Sequence, residues 1–292
     1  MATTVRPRRS LLYMPGSNAR ALEKAKTLAA DGLILDLEDA VSPDAKETAR
    51  AQVCDAVSAG GYGKRELVIR VNGLDTPWGR DDIVAAAKSG ADALLFPKIE
   101  TAATVQEVIG LMDQAGAPAE MALWCMMETP KAVLRAEEIA AASDRVACWV
   151  MGTNDLVKDT RSLHTPSRLP MVTALGICIL AARGYGLSIL DGVHNDIQDT
   201  EGFEAVCRQG LEFGFDGKTL IHPSQVGPCN AVFSPSAAQI EASRKIVAAF
   251  AEAEAAGKGV VVVDGRMVEN LHVEQAKRML AMADAIDDMA AE

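Results

Sequence analysis

Glu128, in the run LWCMMET, and Asp155, in CWVMGTND, each follow a short apolar stretch, which puts carboxylates where buried strands should end. Neighbouring strands lie about 4.8 Å apart, so two such carboxylates can meet at one divalent cation. Mg²⁺ suits them, because it takes one or two carboxylates and completes its shell with water and substrate oxygens. Each acid also fits as a cap on the following helix. Arg70 ends a third apolar run, LVIRVNG, where a guanidinium is costly unless an anion meets it. That anion is a substrate carboxylate or developing oxyanion, or else the acidic triplet Asp36, Glu38 and Asp39 of LILDLED. The two readings are compatible, since the triplet can orient the arginine or a metal's waters from behind. Lys98, in LLFPK, adds a second cation, suited to a Schiff base or to balancing charge beside a metal. His194 and His222 follow two further runs, as site residues or as loop hydrogen-bonders.

The elements that must position these groups follow from their spacing. Arg70, Lys98, Glu128 and Asp155 are 28, 30 and 27 residues apart, and His194 to His222 is another 28. A β-α unit of an eight-fold barrel has that size, given ~250 residues for the whole. Eight apolar runs, starting at Ser10, Gly32, Glu66, Ala93, Ala122, Ala147, Ser188 and Gly217, have strand length and lack alternation, as strands buried on both faces do. Helical periodicity fills the gaps, for example from Asn18, Arg80, Ala102 and Lys131. The expected fold class is therefore α/β, a (β/α)8 TIM barrel, with a doubly wound open sheet as the alternative. The barrel is expected over residues 1–232, with an added loop around Arg161-SLHTPSRLP. Residues 233–292 read as a C-terminal helical extension: a long helix, a small strand and turn at VVVDGRMV, and a final helix. Such an extension packs on its own barrel or forms a lid over a neighbouring subunit's site.

Composition narrows the function classes. A net charge of −11 argues against nucleic acid, which needs a basic face. Six cysteines stand singly, with no C-x-x-C pair, as expected of reduced thiols in a cytoplasmic protein. MATTVRPRRS is basic without a following apolar segment, so it does not read as a signal peptide, and no stretch reads as a membrane span. Gly217-Lys218-Thr219 resembles a P-loop ending, but Glu212 stands where the first glycine should be. Neither G-x-S-x-G, H-E-x-x-H nor G-x-G-x-x-G occurs.

Taken in order, LLYMPGSN, ILDLEDAV, VIRVNGLD, LLFPK, MMET, GTNDL, GFDGKTLIHPSQ and DGRMV resemble the citrate lyase β-subunit-like (CitE-like) family of the HpcH/HpaI aldolase group, over essentially the whole chain. The resemblance implies a Mg²⁺-dependent barrel, a homotrimer or a hexamer built as a dimer of trimers, that acts on an acyl-CoA. Glu128 and Asp155 match its metal ligands, and Arg70 matches the arginine that contacts the reacting acyl group. Tyr13, Lys24, Ile221 and His222 match positions lining the CoA site; Lys98, suited to a CoA phosphate, and Asn154 are further substrate- or CoA-binding candidates. A CoA-contacting arginine of some relatives falls on Asn18, with Arg20 two residues on as a substitute. The implied activity is a lyase cleaving a malyl-CoA, β-methylmalyl-CoA or citramalyl-CoA type substrate into a 2-oxo acid and acetyl- or propionyl-CoA. Lyases of this family carry an aspartate after the G-x-M motif on the lid; here it is Glu269, in RMVENLH. One added methylene moves a carboxylate by about 1 Å, a misplacement that can cost ~10²-fold in rate. VENLH resembles the malyl-CoA thioesterase branch, so thioester hydrolysis is the competing activity. A citryl-CoA lyase subunit or a non-catalytic CoA-binding subunit is a further alternative.

Overall fold

The eight apolar runs form eight parallel strands in a computed structural model that describes residues 5–290. They are β1 (Ser10–Pro15), β2 (Gly32–Asp36), β3 (Glu66–Arg70), β4 (Ala93–Phe96), β5 (Ala122–Met127), β6 (Val146–Met151), β7 (Ser188–Asp191) and β8 (Gly217–Leu220). Each pairs with the next, and β1 pairs with β8 from Ser10↔Lys218 to Leu12↔Leu220, so the sheet closes. Closure excludes the open doubly wound sheet. It also explains the unbroken apolar runs, because every strand is covered on both faces. Leu11, Ile34, Val68, Leu95, Trp124 and Val150 fill the barrel interior. Their sequence neighbours, such as Leu12, Leu35, Ile69 and Trp149, pack against the helices outside.

The helices around the barrel are α1 (Ala19–Ala25), α2 (Lys46–Ala59), α3 (Gly79–Ala86), α4 (Ala102–Gln114), α5 (Pro130–Leu134), α6 (Ala136–Ala140), α7 (Thr153–Thr160), α8 (Val172–Gly184), α9 (Thr200–Phe213) and α10 (Val226–Phe233). The single helix expected from Lys131 is two, because Arg135 leaves helical geometry at φ −114 and ψ 22. Among the described residues, no helix is long and apolar enough to cross a membrane.

Chain contacts divide the protein into two compact units, one of which is Arg8–Phe233. The other is built mainly from Ser234 onward and holds α11 (Ala237–Ala255), β9 (Val261–Val263), β10 (Arg266–Val268) and α12 (Asn270–Ala290). Ser236 opens α11 with a reciprocal cap shared with Gln239. The strand and turn expected at VVVDGRMV is a two-stranded antiparallel hairpin. Asp264 and Gly265 form its tip with φ of 47° and 76°, the left-handed pair that a tight hairpin turn requires. Phe250, Val268 and Val273 make this unit's own small core.

Candidate active site

At the C-terminal ends of the strands a cleft of about 310 Å³ is lined by Tyr13, Asp36, Asp39, Arg70, Met126, Glu128, Asn154, Asp155, Asn195, Thr219 and Ile221, among others. Six strands therefore deliver side chains to one place, at the end of the barrel where the βα-loops meet. Glu128 directly follows β5, is 3% exposed, and accepts the Lys98 backbone N–H at 2.7 Å on Oε1. Asp155 does not end β6, as the apolar run suggested. It lies four residues beyond Met151, in the first turn of α7. The turn between them needs Gly152: a Cβ there would stand 2.2 Å from the Glu128 Cβ and 2.6 Å from its Oε2. The glycine of GTND thus leaves the room in which the Glu128 carboxylate sits.

Arg70, the last residue of β3, is gripped from one side. Its Nε and Nη2 donate to Asp36 Oδ1 and Oδ2, both at 2.6 Å, and its Nη1 pairs with Glu38 at 2.8 Å and Asp39 at 3.5 Å. The guanidinium carbon lies 4.8 Å from the Tyr13 ring centroid, a cation–π contact. A guanidinium carries more N–H groups than Asp36 and Glu38 use, so donors remain for a substrate. Both readings of the acidic triplet thus coexist: it pairs with Arg70 and it aims it.

The electrostatics favour a bound cation. Burial pushes the Glu128 carboxyl up to about 7; the Lys98 N–H opposes this, and Glu38 and Asp155 add to it. Burial likewise pushes Glu38 up to about 7, against Arg70 and with help from Asp39 and Asp36. Burial disfavours the Lys98 ammonium, but Asp155, Glu128 and Glu38 outweigh it and raise its pKa. A carboxylate held back from ionising by burial, and further by neighbouring carboxylates, is what a divalent cation relieves. Among the described residues no cluster of three or more His, Cys, Asp or Glu could hold a metal. Glu128 and Asp155 alone fit Mg²⁺, which keeps most of its shell for water and substrate, better than a metal that needs an all-protein cage.

A profile of the HpcH/HpaI aldolase/citrate lyase family matches residues 9–223. The chain belongs to that family. Within it, the chain falls on the citrate lyase β-subunit-like branch. It is 52% identical to a (3S)-malyl-CoA thioesterase of Cereibacter sphaeroides, over 98% of each chain. It is 36% identical to the citrate lyase subunit beta of Leuconostoc mesenteroides, over 96% of this chain and 94% of that one. Among solved structures it resembles the CitE protein of Mycobacterium tuberculosis in complex with magnesium, acetoacetate and coenzyme A, with a TM-score of 0.76 and 28% identity. That match covers 97% of this chain and 100% of the other.

Not every candidate residue lines the cleft. Asn18 caps α1 by accepting the Ala21 N–H at 3.1 Å. Arg20 and Lys24, four residues apart, share an exposed face of the same helix. His222 is exposed, and its Nδ1 bonds Ser224 Oγ at 2.7 Å, which makes it a loop hydrogen-bonder. His194 stacks edge-on against Phe203 at 5.9 Å in a separate cavity that also holds Arg168. Glu269 belongs to the C-terminal unit, where its backbone N–H donates to His272 Nδ1 at 3.1 Å. Gly152, Met126, Thr219 and Asn195 line the cleft without having been expected there from the sequence. Asn195 exchanges side-chain amide hydrogen bonds with Asn154, at 2.8 and 3.2 Å, across the rim. The only sequence signal was that both asparagines sit in N-D pairs after strands.

Proposed function

We propose that this chain is a Mg²⁺-dependent enzyme that hydrolyses the thioester of a malyl-CoA type substrate, releasing malate and the free CoA thiol. The observation that carries the chemistry is the buried, cation-seeking Glu128 beside Asp155, in one cleft with a rigidly held Arg70. The choice of hydrolysis rests on likeness to the (3S)-malyl-CoA thioesterases, far higher than the 34% identity to an L-malyl-CoA/β-methylmalyl-CoA lyase of Cereibacter sphaeroides. The order of the two activities is therefore the reverse of the one that the general family resemblance suggested.

Glu128 and Asp155 would hold Mg²⁺, which would supply Lewis-acid polarisation and help orient the malyl group. Arg70 turns its remaining donors to the thioester oxygen. Water adds to the thioester carbon, the negative charge collects on that oxygen facing Arg70, and the C–S bond then breaks. Glu269, brought by the C-terminal unit of a neighbouring copy in a homotrimer or hexamer, takes the water's proton and passes it to the departing thiolate. The Arg20–Lys24 face of α1 and the Tyr13 and Ile221 side chains contact the CoA moiety.

The second reading is cleavage to a 2-oxo acid and acetyl-CoA, favoured by the fixed Arg70, which would serve equally well at an enolate oxygen. Incubation of the full-length protein with malyl-CoA and Mg²⁺ separates them. Free thiol with malate is the expected result, whereas glyoxylate with acetyl-CoA means lyase. Turnover that survives a chelator would remove the metal from the scheme.

A further inference from the structure

We infer that Lys46 is a positioning residue: its buried ammonium holds the Leu37–Glu38 backbone and, through it, the Glu38–Arg70 pair. The inference rests on the role given to Arg70 above. Lys46 begins α2, is 6% exposed, and does not line the cleft. Its Nζ donates to Leu37 O at 2.8 Å, Glu38 O at 2.7 Å and Asn72 Oδ1 at 2.8 Å. An ammonium has no more donors to give, and none of these goes to a carboxylate. Burying a cation is expensive, and a methionine would fill the same space without that cost. What the cation adds is the set of acceptors it gathers.

Those acceptors control one turn. Asp36 closes residues 36–40 on itself, accepting the Glu38 N–H at 2.9 Å on Oδ1 and the Ala40 N–H at 3.0 Å on Oδ2. The same two oxygens hold Arg70, and the turn delivers Glu38 to Arg70 Nη1. Asn72 extends the clamp into the loop after β3. Its Nδ2 donates to Leu37 O at 2.9 Å and Asp82 Oδ2 at 2.6 Å, and Asp82 also takes the Asn72 N–H at 3.0 Å and Arg50 Nε at 2.6 Å. The loops after β2 and β3 are thus tied together by groups outside the cleft, with one ammonium at the junction. Removing it leaves the Glu38 carbonyl with the Val41 N–H at 3.0 Å and Leu37 O with Asn72, and cuts the turn's tie to α2. Asp36 still holds Arg70, but the flanking carboxylate that fixes its angle is released.

The test compares Lys46→Met, Glu38→Gln and the double variant in malyl-CoA turnover. Lys46→Met is expected to lower kcat about tenfold, in line with a sub-ångström misplacement, while KM and the affinity for Mg²⁺ stay within about twofold. The double variant should be no slower than Glu38→Gln, because both changes act on one contact. Multiplying effects, or a raised KM at unchanged kcat, would overturn the inference. Crystal structures of Lys46→Met, or of Lys46→Gln should the methionine variant fail to fold, decide the point without activity. Glu38 is expected to leave Arg70 Nη1; a pair retained at 2.8 Å defeats the inference. If the wild-type protein turns over neither product, the proposed function fails while this structural result still stands or falls alone.

Discussion

Two carboxylates lie buried near the ends of strands in the same barrel, and they are in opposite states. Asp191, the last residue of β7, is fully buried and faces outward from the barrel beneath the helices. Arg168 Nη1 donates to both of its oxygens at 2.7 and 2.8 Å, and Lys218 Nζ lies 3.1 Å away. Burial alone would raise its pKa, but Lys218 and Arg168 reverse the effect and lower it. Glu128 has one backbone N–H on its carboxylate, and the opposing charge of Arg70 is weaker than the combined effect of burial, Glu38 and Asp155, so its pKa rises. Burial is common to both; the partners differ. A buried acid with its cations built in is held ionised by the fold, and one without them resists ionising until a counter-charge is supplied.

The comparison can be broken most severely at Glu128. Glu128→Ala should lower kcat/KM on the order of 10³-fold or more, since a metal's several kcal/mol of stabilisation converts to that factor. Isothermal titration should show Mg²⁺ binding lost with the fold intact, and turnover near the wild-type rate would take Glu128 out of the metal site. At the other carboxylate the effect falls on stability. Asp191→Asn leaves Arg168 and Lys218 without a counter-charge and should cost about 3–5 kcal/mol in urea unfolding. A loss below about 1 kcal/mol would mean that the cluster is not the paired structural unit described.

The contrast sharpens with pH in metal-free protein. Glu128 has a folded pKa above its unfolded value, so its contribution to stability is full below about 4.5 and disappears as pH rises through about 7. Glu128→Gln should therefore raise metal-free stability at pH 8 by up to roughly 3 kcal/mol, and by nothing near pH 4.5. Added Mg²⁺ should then raise the thermal midpoint of the wild type only. A variant less stable than wild type at pH 8 contradicts this account. For Asp191 the sign is opposite: its contribution is present above the usual aspartate range and fades as acid protonates it. The smallest effect is expected at Tyr13. Tyr13→Phe keeps the ring over Arg70 and loses only the hydroxyl contact to Met126 Sδ at 3.7 Å, so kcat should fall by less than about tenfold. A larger fall would give the hydroxyl a direct role.

Much of this was legible in the residues because strands buried on both faces need unbroken apolar runs, and a charge that interrupts one stands out. Seven of the eight runs begin at the residue where the strand begins, and the run from Ala147 starts one residue late. Arg70 stood out for the same reason. Asp155 was misplaced because the turn at Gly152 adds residues between β6 and α7, which periodicity does not register. Lys218 was read only as part of a failed phosphate loop. Its place behind the barrel depends on which way β8 turns its side chains, and four strand residues, GKTL, are too few to show that.

The strands and the chemical types that stand at their ends were readable from the sequence, because each depends on neighbours along the chain; closure was not, since it rests on the first strand pairing with the last. Only the tertiary structure decided which acid is neutralised and which is left wanting. The charge state of a buried group is set by what lies within a few ångströms, and those neighbours come from strands and loops far apart in the chain.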